Sequence, residues 1–480
     1  MIRAAIQDLR SAPVVWGGVA LLLATVQTVI STIMVMLANA DSVARDPQLS
    51  EQARTFHQEL SWLPLPVVVI VSVIVLASLV SAAVDQRRRA LALLALQGAT
   101  PMQLTLRICV QVLLLAASTG LVSLVAASAL ARVLYRPVAA HLEAAGLTWV
   151  HMGIGQTLRA WVIGTVLTLV VALASSLASL RTTNRIAPVE SLREAADPPR
   201  TIGRVRGTLA AVCALGAGAS FVVGVASTRA APVSGSAAHV TFAAMTPMFS
   251  FSMAGLVLLV VAISLAGPVG LAWTVRARTG LLPIPSASWR VTRDQADVSI
   301  RRSSPTILPL IAGLTALMSL MGISAVIRAW TDRLPGTLAA QVEVPGVARM
   351  LTLLAPALVV VLAGSCAGHL ITARGRELDL ALLCVGGAEP RQLDLIASLN
   401  GVVAGVTAVV AAFVPATAST LVFALAEYRA FGVATPVVLW SEWGVALLAL
   451  VVFGAVTSRL VVRRSLRGSP VGVIARYAGE

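Results

Sequence analysis

The sequence contains no lysine, so all 36 of its basic residues are arginines. A P-loop needs a lysine to hold the phosphates of a nucleotide, and a Schiff base also requires a lysine amine. The absence therefore excludes a nucleotide-binding P-loop and lysine-based covalent chemistry. We expect this chain to carry no cofactor of its own.

Charge is also scarce, because only 12% of the 480 residues are charged while 58% are hydrophobic. Soluble domains carry about 25% charged residues. A chain of this length with half that charge has too little polar surface to face water. The mean hydropathy of +0.88 agrees, and the class that fits is a polytopic membrane protein.

Cysteine and histidine are few and scattered. The four cysteines, at 109, 213, 366 and 384, do not have the spacing of a metal site or of a disulfide framework. The five histidines are equally dispersed, and we expect no metal site. The first apolar run is too long for the core of a signal peptide, so we interpret it as a retained span.

Ten apolar segments are long enough to cross the hydrocarbon core, which takes about 20 residues of helix. Runs of this length without alternation are helices in a membrane. The predicted fold class is therefore an all-α polytopic membrane protein with about ten transmembrane helices. The segments are 14–38, 63–84, 106–131, 159–180, 207–228, 249–275, 305–327, 350–372, 395–424 and 438–459.

Arginine placement predicts the orientation of these spans. The two tails and the connections 85–107, 181–206, 276–302 and 374–394 hold 26 arginines and 12 acids, a net of +14, while the opposite side holds 10 arginines and 9 acids. Cytoplasmic loops carry such an excess. We therefore expect both termini in the cytoplasm of a bacterial inner membrane, and no nucleic-acid partner, because the arginines flank apolar spans.

One charged segment occurs twice between apolar runs. QRRRALALLALQGATPMQL, residues 86–104, and GRELDLALLCVGGAEPRQL, residues 375–393, are identical at ten of nineteen positions. Matching prolines also stand before the first and seventh spans, and Pro188 and Pro470 follow the fourth and tenth. These matches predict two parallel four-helix repeats, residues 1–195 and 290–480, joined by a two-helix linker, residues 196–289.

Each repeated segment is predicted to form a short amphipathic helix followed by a sharp corner. The residues that share one helical face are Leu91, Leu94 and Gly98 in the first copy and Leu380, Leu383 and Gly387 in the second. Gly98 and Gly387 fit left-handed positions after a helix end. Thr100 then caps the next helix with Pro101 in its first turn, whereas Glu389 is a poorer cap in the copy.

Two interpretations of this helix are open from the residues. It could lie on lipid headgroups with its arginines at the phosphates, or it could bind a cytoplasmic partner. Lipid contact does not require the same residue order twice. A duplicated helix suits a two-fold symmetric partner, because each copy then meets an equivalent surface.

The two segments resemble the signature of the FtsX-like (MacB-type) permease family, in which such a helix joins the second and third spans of a four-span unit. With ten spans and two units, the chain is similar to bacitracin-resistance-type permeases, although it lacks their large extracellular domain. The resemblance implies a transmembrane subunit of an ABC transporter, with ATP and Mg²⁺ bound by a separate cytoplasmic ATPase in two copies. It implies ATPase contacts at Arg87, Leu91, Leu94, Gly98, Ala99, Arg376, Glu377, Leu380, Leu383, Gly387 and Ala388.

Function is then expected to be ATP-driven export or extraction of an amphiphile, such as an antibiotic peptide, a drug or a lipid. The span centres carry no charged residue, which disfavours an ion-coupled secondary carrier. The alternative is mechanotransmission, in which the chain regulates an external hydrolase or a sensor kinase without moving a substrate. The short external loops disfavour it, because they expose little that a partner could bind.

Overall fold

All the regular structure that the computed structural model describes is α-helical. The described residues are 6–9, 12–44, 64–144, 154–183, 204–228, 248, 250–267, 271, 287–333, 347–432 and 435–465. The helices are α1 (Pro13–Ala44), α2 (Pro64–Gln86), α3 (Arg88–Leu96), α4 (Pro101–Ala144), α5 (Ile154–Thr183), α6 (Arg204–Ser227), α7 (Ser250–Gly267), α8 (Ala287–Thr331), α9 (Val347–Val385), α10 (Pro390–Phe431) and α11 (Trp440–Ser465).

Ten of these helices are long and apolar enough to cross a membrane; α3, with nine residues, is the exception. Each candidate span overlaps one of the ten predicted segments. The prediction of an all-α polytopic membrane protein with ten spans is therefore confirmed. Two spans have few buried residues, α6 and α11, so most of their apolar side chains are available to lipid.

The chain divides into two compact units. The first contains residues 1–198 together with 355–371 of α9, and the second contains residues 199–354 together with 372–480. In the first unit α1 packs against α2, α4 and α5; in the second, α10 packs against α6, α8 and α11. The predicted boundaries at 195 and 290 come from the sequence repeat and stay a prediction.

Polar groups join the helices inside the first unit. The Gln27 amide of α1 donates to Thr165 Oγ1 of α5 at 3.2 Å and accepts from Thr119 Oγ1 of α4 at 3.0 Å. Interhelical hydrogen bonds of this kind stabilise helix packing where lipid supplies no hydrophobic driving force. The interior of this unit is thus specified by polar groups as well as by shape.

Small residues bring α10 and α11 close together in the second unit. A methyl group on Gly401 would collide with the backbone of Gly454, and one on Gly405 would lie 2.6 Å from the carbonyl oxygen of Leu450. Gly-x-x-x-Gly spacing allows such approach, and here it accounts for the close packing of α10 against α11 at Gly401 and Gly405.

Three helices, α4, α8 and α10, are far longer than the hydrocarbon core is thick. The 44 residues of α4 and the 42 of α10 correspond to roughly 66 and 63 Å at 1.5 Å per residue, against a core of about 30 Å. In α4 the helix continues to Ala144, beyond the predicted span 106–131.

Candidate functional site

The first repeated segment ends its helix with a Schellman motif. Gly98 has a φ of 96°, and its backbone N–H donates to the carbonyl oxygen of Ala95 at 3.0 Å. The N–H of Ala99 donates to the carbonyl oxygen of Leu94 at 3.1 Å. These two bonds satisfy carbonyl groups that the end of a helix otherwise leaves unpaired, and they turn the chain sharply.

The second repeated segment makes the same two bonds. The N–H of Gly387, whose φ is 88°, donates to the carbonyl oxygen of Cys384 at 3.0 Å. The N–H of Ala388 donates to the carbonyl oxygen of Leu383 at 3.0 Å. The prediction that Gly98 and Gly387 take left-handed positions after a helix end is confirmed. We call residues 93–104 the first corner and residues 382–393 the second corner.

Both corners continue into the next helix through a capping box. In the first, the Thr100 N–H donates to Gln103 Oε1 at 3.0 Å, and the Gln103 N–H donates to Thr100 Oγ1 at 3.3 Å. Glu389 forms the equivalent box with Gln392 in the second, with a proline in the first turn. Glutamate is a less favoured cap residue, but here Gln392 accepts the hydrogen bond of the Glu389 backbone N–H and so completes the capping box.

The helix that leads into each corner differs between the two copies. In the first copy the chain turns at Arg87, between α2 and the separate nine-residue α3. In the second copy α9 runs without interruption from Val347 to Val385. The predicted short helix is therefore a separate element only in the first copy; in the second it is the last three turns of α9, beyond the candidate span Leu354–Thr372.

The two corners expose equivalent apolar side chains. Leu93 and Leu96 are 50% and 54% exposed in the first, and Leu382 and Val385, at the paired sequence positions, are 56% and 65% exposed in the second. We call these four residues the exposed apolar pairs. Leu91 and Leu94 lie half-buried on the other side of α3, so this helix has one face toward the protein and one away from it.

An acidic residue near the N-terminus holds the first corner to its bundle. Asp8 Oδ2 accepts from Arg107 Nε at 2.6 Å and from Gln111 Nε2 at 3.0 Å, both on α4. Arg87, at the turn before α3, donates to the Asp8 carbonyl oxygen at 3.4 Å, and its Nη2 lies 3.6 Å from Oδ1. The turn that positions α3 is therefore tied to α4 through Asp8.

A cleft opens beside this cluster. A buried tryptophan, Trp16 of α1, forms part of its wall, and the indole N–H has no hydrogen-bond partner among the described residues. The lining residues are Asp8, Trp16, Ala83, Val84, Arg87, Leu91, Leu94, Arg107, Ile108 and Gln111. The cleft is thus lined by both charged and apolar side chains.

The second corner is held by a different acid. Asp394, one residue past the corner, accepts from Arg463 Nε at 3.2 Å and from Arg459 Nε at 3.3 Å, both on α11. Beneath it, Leu383 and Ala388 pack against a buried cluster of Leu393, Ala397 and Val462. The second corner therefore packs on its own bundle through apolar residues, and Asp394 ties the start of α10 to α11.

The structure brings the predicted contact residues to these two corners, with different exposures. Gly98 and Gly387 are exposed, whereas Leu91, Leu94, Ala99, Leu383 and Ala388 are partly buried. Arg87 is 19% exposed and is paired with Asp8. Arg376, Glu377 and Leu380 lie in the last turns of α9, and their side chains are outside what the structure describes. Whether any of these residues contacts an ATPase stays a prediction.

Sequence reasoning missed the Asp8 cluster and the importance of the outer face. Asp8 is about eighty residues from Arg87 along the chain, and nothing in the local pattern joins them. Leu93 and Leu96 stand about half a turn away from Leu91 and Leu94, and because leucines occur on both sides of the helix, the sequence pattern did not separate the two faces.

One comparison with known proteins gives a match. The family model described as FtsX-like permease C-terminal matches residues 65–188, which contain α2, α3, the first corner, α4 and α5. These residues are similar to an FtsX-like permease domain, and they lie in a chain with ten candidate spans among its described residues. No curated protein sequence matches the chain.

Proposed function

We propose that this chain is the transmembrane permease subunit of an ATP-driven ABC transporter that exports or extracts an amphiphilic substrate. A separate ATPase would bind the exposed apolar pairs on the cytoplasmic side, one ATPase copy at each corner. The match of residues 65–188 to FtsX-like permeases supports a permease of this kind. Both termini would then lie in the cytoplasm, as the arginine distribution predicts.

The observation that carries the proposal is the structural equivalence of the two corners. Each has the same Schellman bonds, the same capping box and a pair of exposed apolar residues at matching positions. All four residues lie outside the candidate spans, and an apolar patch that is exposed to water marks an interaction surface. Two equivalent surfaces in one chain suit two copies of one partner.

The long helices supply a route from the corners to the far side of the membrane. Each corner is joined by its capping box directly to α4 or α10, without a flexible linker. A displacement of the corner would therefore move a helix of roughly 60 Å. Closure of an ATPase dimer would in this way rearrange the spans around an amphiphile.

Paired substitutions at the exposed positions test the proposal. In the complex of this chain with its co-purifying ATPase, Leu93→Asp with Leu382→Asp should abolish the stimulation of ATP hydrolysis by amphiphiles, or dissociate the ATPase. Charged residues would be placed in a desolvated contact. The matched control is Leu93→Met with Leu382→Met, which conserves volume and apolarity and should retain the stimulation.

Substitutions at Leu93 and Leu382 test the contact more specifically than substitutions at Leu94 and Leu383 do. Both of the latter are partly buried and accept the Schellman bonds, so aspartate there would disturb the corner itself. Unchanged ATPase binding and unchanged stimulation in the Leu93→Asp, Leu382→Asp chain would overturn the proposal. ATPase binding without stimulation by any amphiphile would favour mechanotransmission.

A further inference from the structure

The cleft beside α3 has the chemistry of an anion site. Its lining includes two arginines, Arg87 and Arg107, beside one carboxylate, Asp8. Arginine guanidinium groups match the geometry of phosphate oxygens and are weakly hydrated. Gln111, only 2% exposed, adds an amide beside them.

Trp16 provides a second, independent sign of a ligand. The side chain lines the cleft, is only 4% exposed, and its Nε1–H has no hydrogen-bond partner among the described residues. A buried donor without an acceptor destabilises the folded protein. Indole nitrogen can only donate, so the missing group is an acceptor.

The apolar lining of the cleft and its position at the ends of the spans restrict the class of ligand further. Ala83, Val84 and Ile108 make one side apolar. The cleft also lies where three candidate spans end together, because these spans begin at Pro13, end at Gln86 and begin at Met102. Phospholipids place their phosphates at this level of the membrane, with acyl chains against apolar side chains.

We propose that this cleft binds a phosphate oxyanion, with Trp16 Nε1 and Arg87 as donors to the phosphate oxygens. An anionic phospholipid headgroup or a soluble phosphate could supply the group. Arg107 stays paired with Asp8, as their 2.6 Å hydrogen bond indicates, and this pair holds the charged side of the cleft in place. The bound phosphate joins α1 to the turn before α3 and so stabilises the position of that helix.

The test uses the full chain purified in a neutral detergent without any ATPase, so it is independent of the proposed transport function. Thermal unfolding is followed while phosphatidylglycerol, phosphatidylcholine or inorganic phosphate is added. We expect phosphatidylglycerol to raise the melting temperature more than phosphatidylcholine, because ligands of the folded state stabilise it by mass action. A response to inorganic phosphate as well would identify a soluble phosphate as a source.

Trp16→Phe removes the N–H while keeping an aromatic ring. It should need about tenfold more of the effective phosphate compound for the same rise, since a hydrogen bond to a charged group is lost. Arg87→Gln is the second variant and should weaken the response similarly. Trp443→Phe and Arg459→Gln are the matched controls; Trp443 packs on Phe413 and Arg459 pairs with Asp394, so both should respond as wild type does.

Two results would overturn the assignment. One is a wild-type chain whose melting temperature responds equally to phosphatidylglycerol and phosphatidylcholine and not to phosphate. The other is a Trp16→Phe chain and an Arg87→Gln chain that both respond as the wild type does.

Discussion

The backbone N–H of Ala99 donates to the carbonyl oxygen of Leu94 at 3.1 Å, and this bond closes the first corner. The equivalent bond in the second corner joins Ala388 to Leu383 at 3.0 Å. Both bonds depend on a glycine with positive φ between donor and acceptor. The direction in which each corner leaves its helix is therefore set by one glycine.

Gly98→Ala and Gly387→Ala should each loosen a corner. A side chain in the left-handed region costs about 1–2 kcal/mol, which corresponds to a roughly five- to thirtyfold faster opening of the local hydrogen bonds. Hydrogen exchange of residues 98–104 and 387–393 measures this opening. Gly17→Ala is the control, because space surrounds Gly17; equal exchange in all three variants would contradict the role of the glycines.

Asp8→Asn should destabilise the first corner more than Asp394→Asn destabilises the second. Asp8 holds Arg107, whose side chain is 22% exposed, whereas Arg459 and Arg463 are 50% and 58% exposed. Charge-assisted bonds to a partly buried arginine contribute about 1.5–3 kcal/mol, and exposed pairs contribute below about 1 kcal/mol.

The comparison can be made by thermal unfolding of the two variants under identical lipid and salt conditions. Hydrogen exchange in α3 should also rise in Asp8→Asn and stay unchanged in Asp394→Asn. The interpretation of Asp8 as the anchor of α3 fails if the ranking is reversed.

Gly401→Ala should weaken the packing of α10 against α11. The added methyl group meets the backbone of Gly454, which has no flexible side chain to move away. Overpacking of this kind typically costs about 1–3 kcal/mol, seen as a lower melting temperature. Gly444→Ala is the control, because Gly444 lies in α11 with open space around it, and it should leave the melting temperature unchanged. A similar fall of the melting temperature in both variants would refute the close contact.

Gln27 and Thr119 should show energetic coupling across α1 and α4. Their side chains are 3.0 Å apart and buried, and double-mutant cycles for such bonds in membrane proteins average about 0.6 kcal/mol. The cycle consists of Gln27→Leu, Thr119→Val and the double variant, each measured by the free energy of unfolding. Additive effects would show that the bond contributes nothing beyond packing.

The sequence predicted the spans and the corners well because their signals are local. Ten apolar runs of sufficient length each became a helix, and the glycine and proline of each repeated segment fixed the end of one helix and the start of the next. Gly98 and Gly387 could be placed from their spacing alone, since few other residues accept positive φ.

Features that depend on distant residues could not be predicted. Asp8 pairs with Arg87 and Arg107 only because α1, α2 and α4 share a bundle, and no periodicity encodes that. The outward face of α3 was ambiguous because leucines stand on both sides of it. The continuous α9 also differs from its copy, where the chain turns at Arg87, although the two segments share most of their pattern.

Site-specific photo-crosslinking tests the central claim most directly. A photoreactive phenylalanine analogue is placed at position 93 or 382 of the chain in an active complex, and at position 121 as the control, where Leu121 is 73% exposed within a candidate span. We predict crosslinks to the ATPase from positions 93 and 382 and none from position 121. Crosslinks from 93 and 382 to lipid only, in a complex that still hydrolyses ATP, would contradict the account.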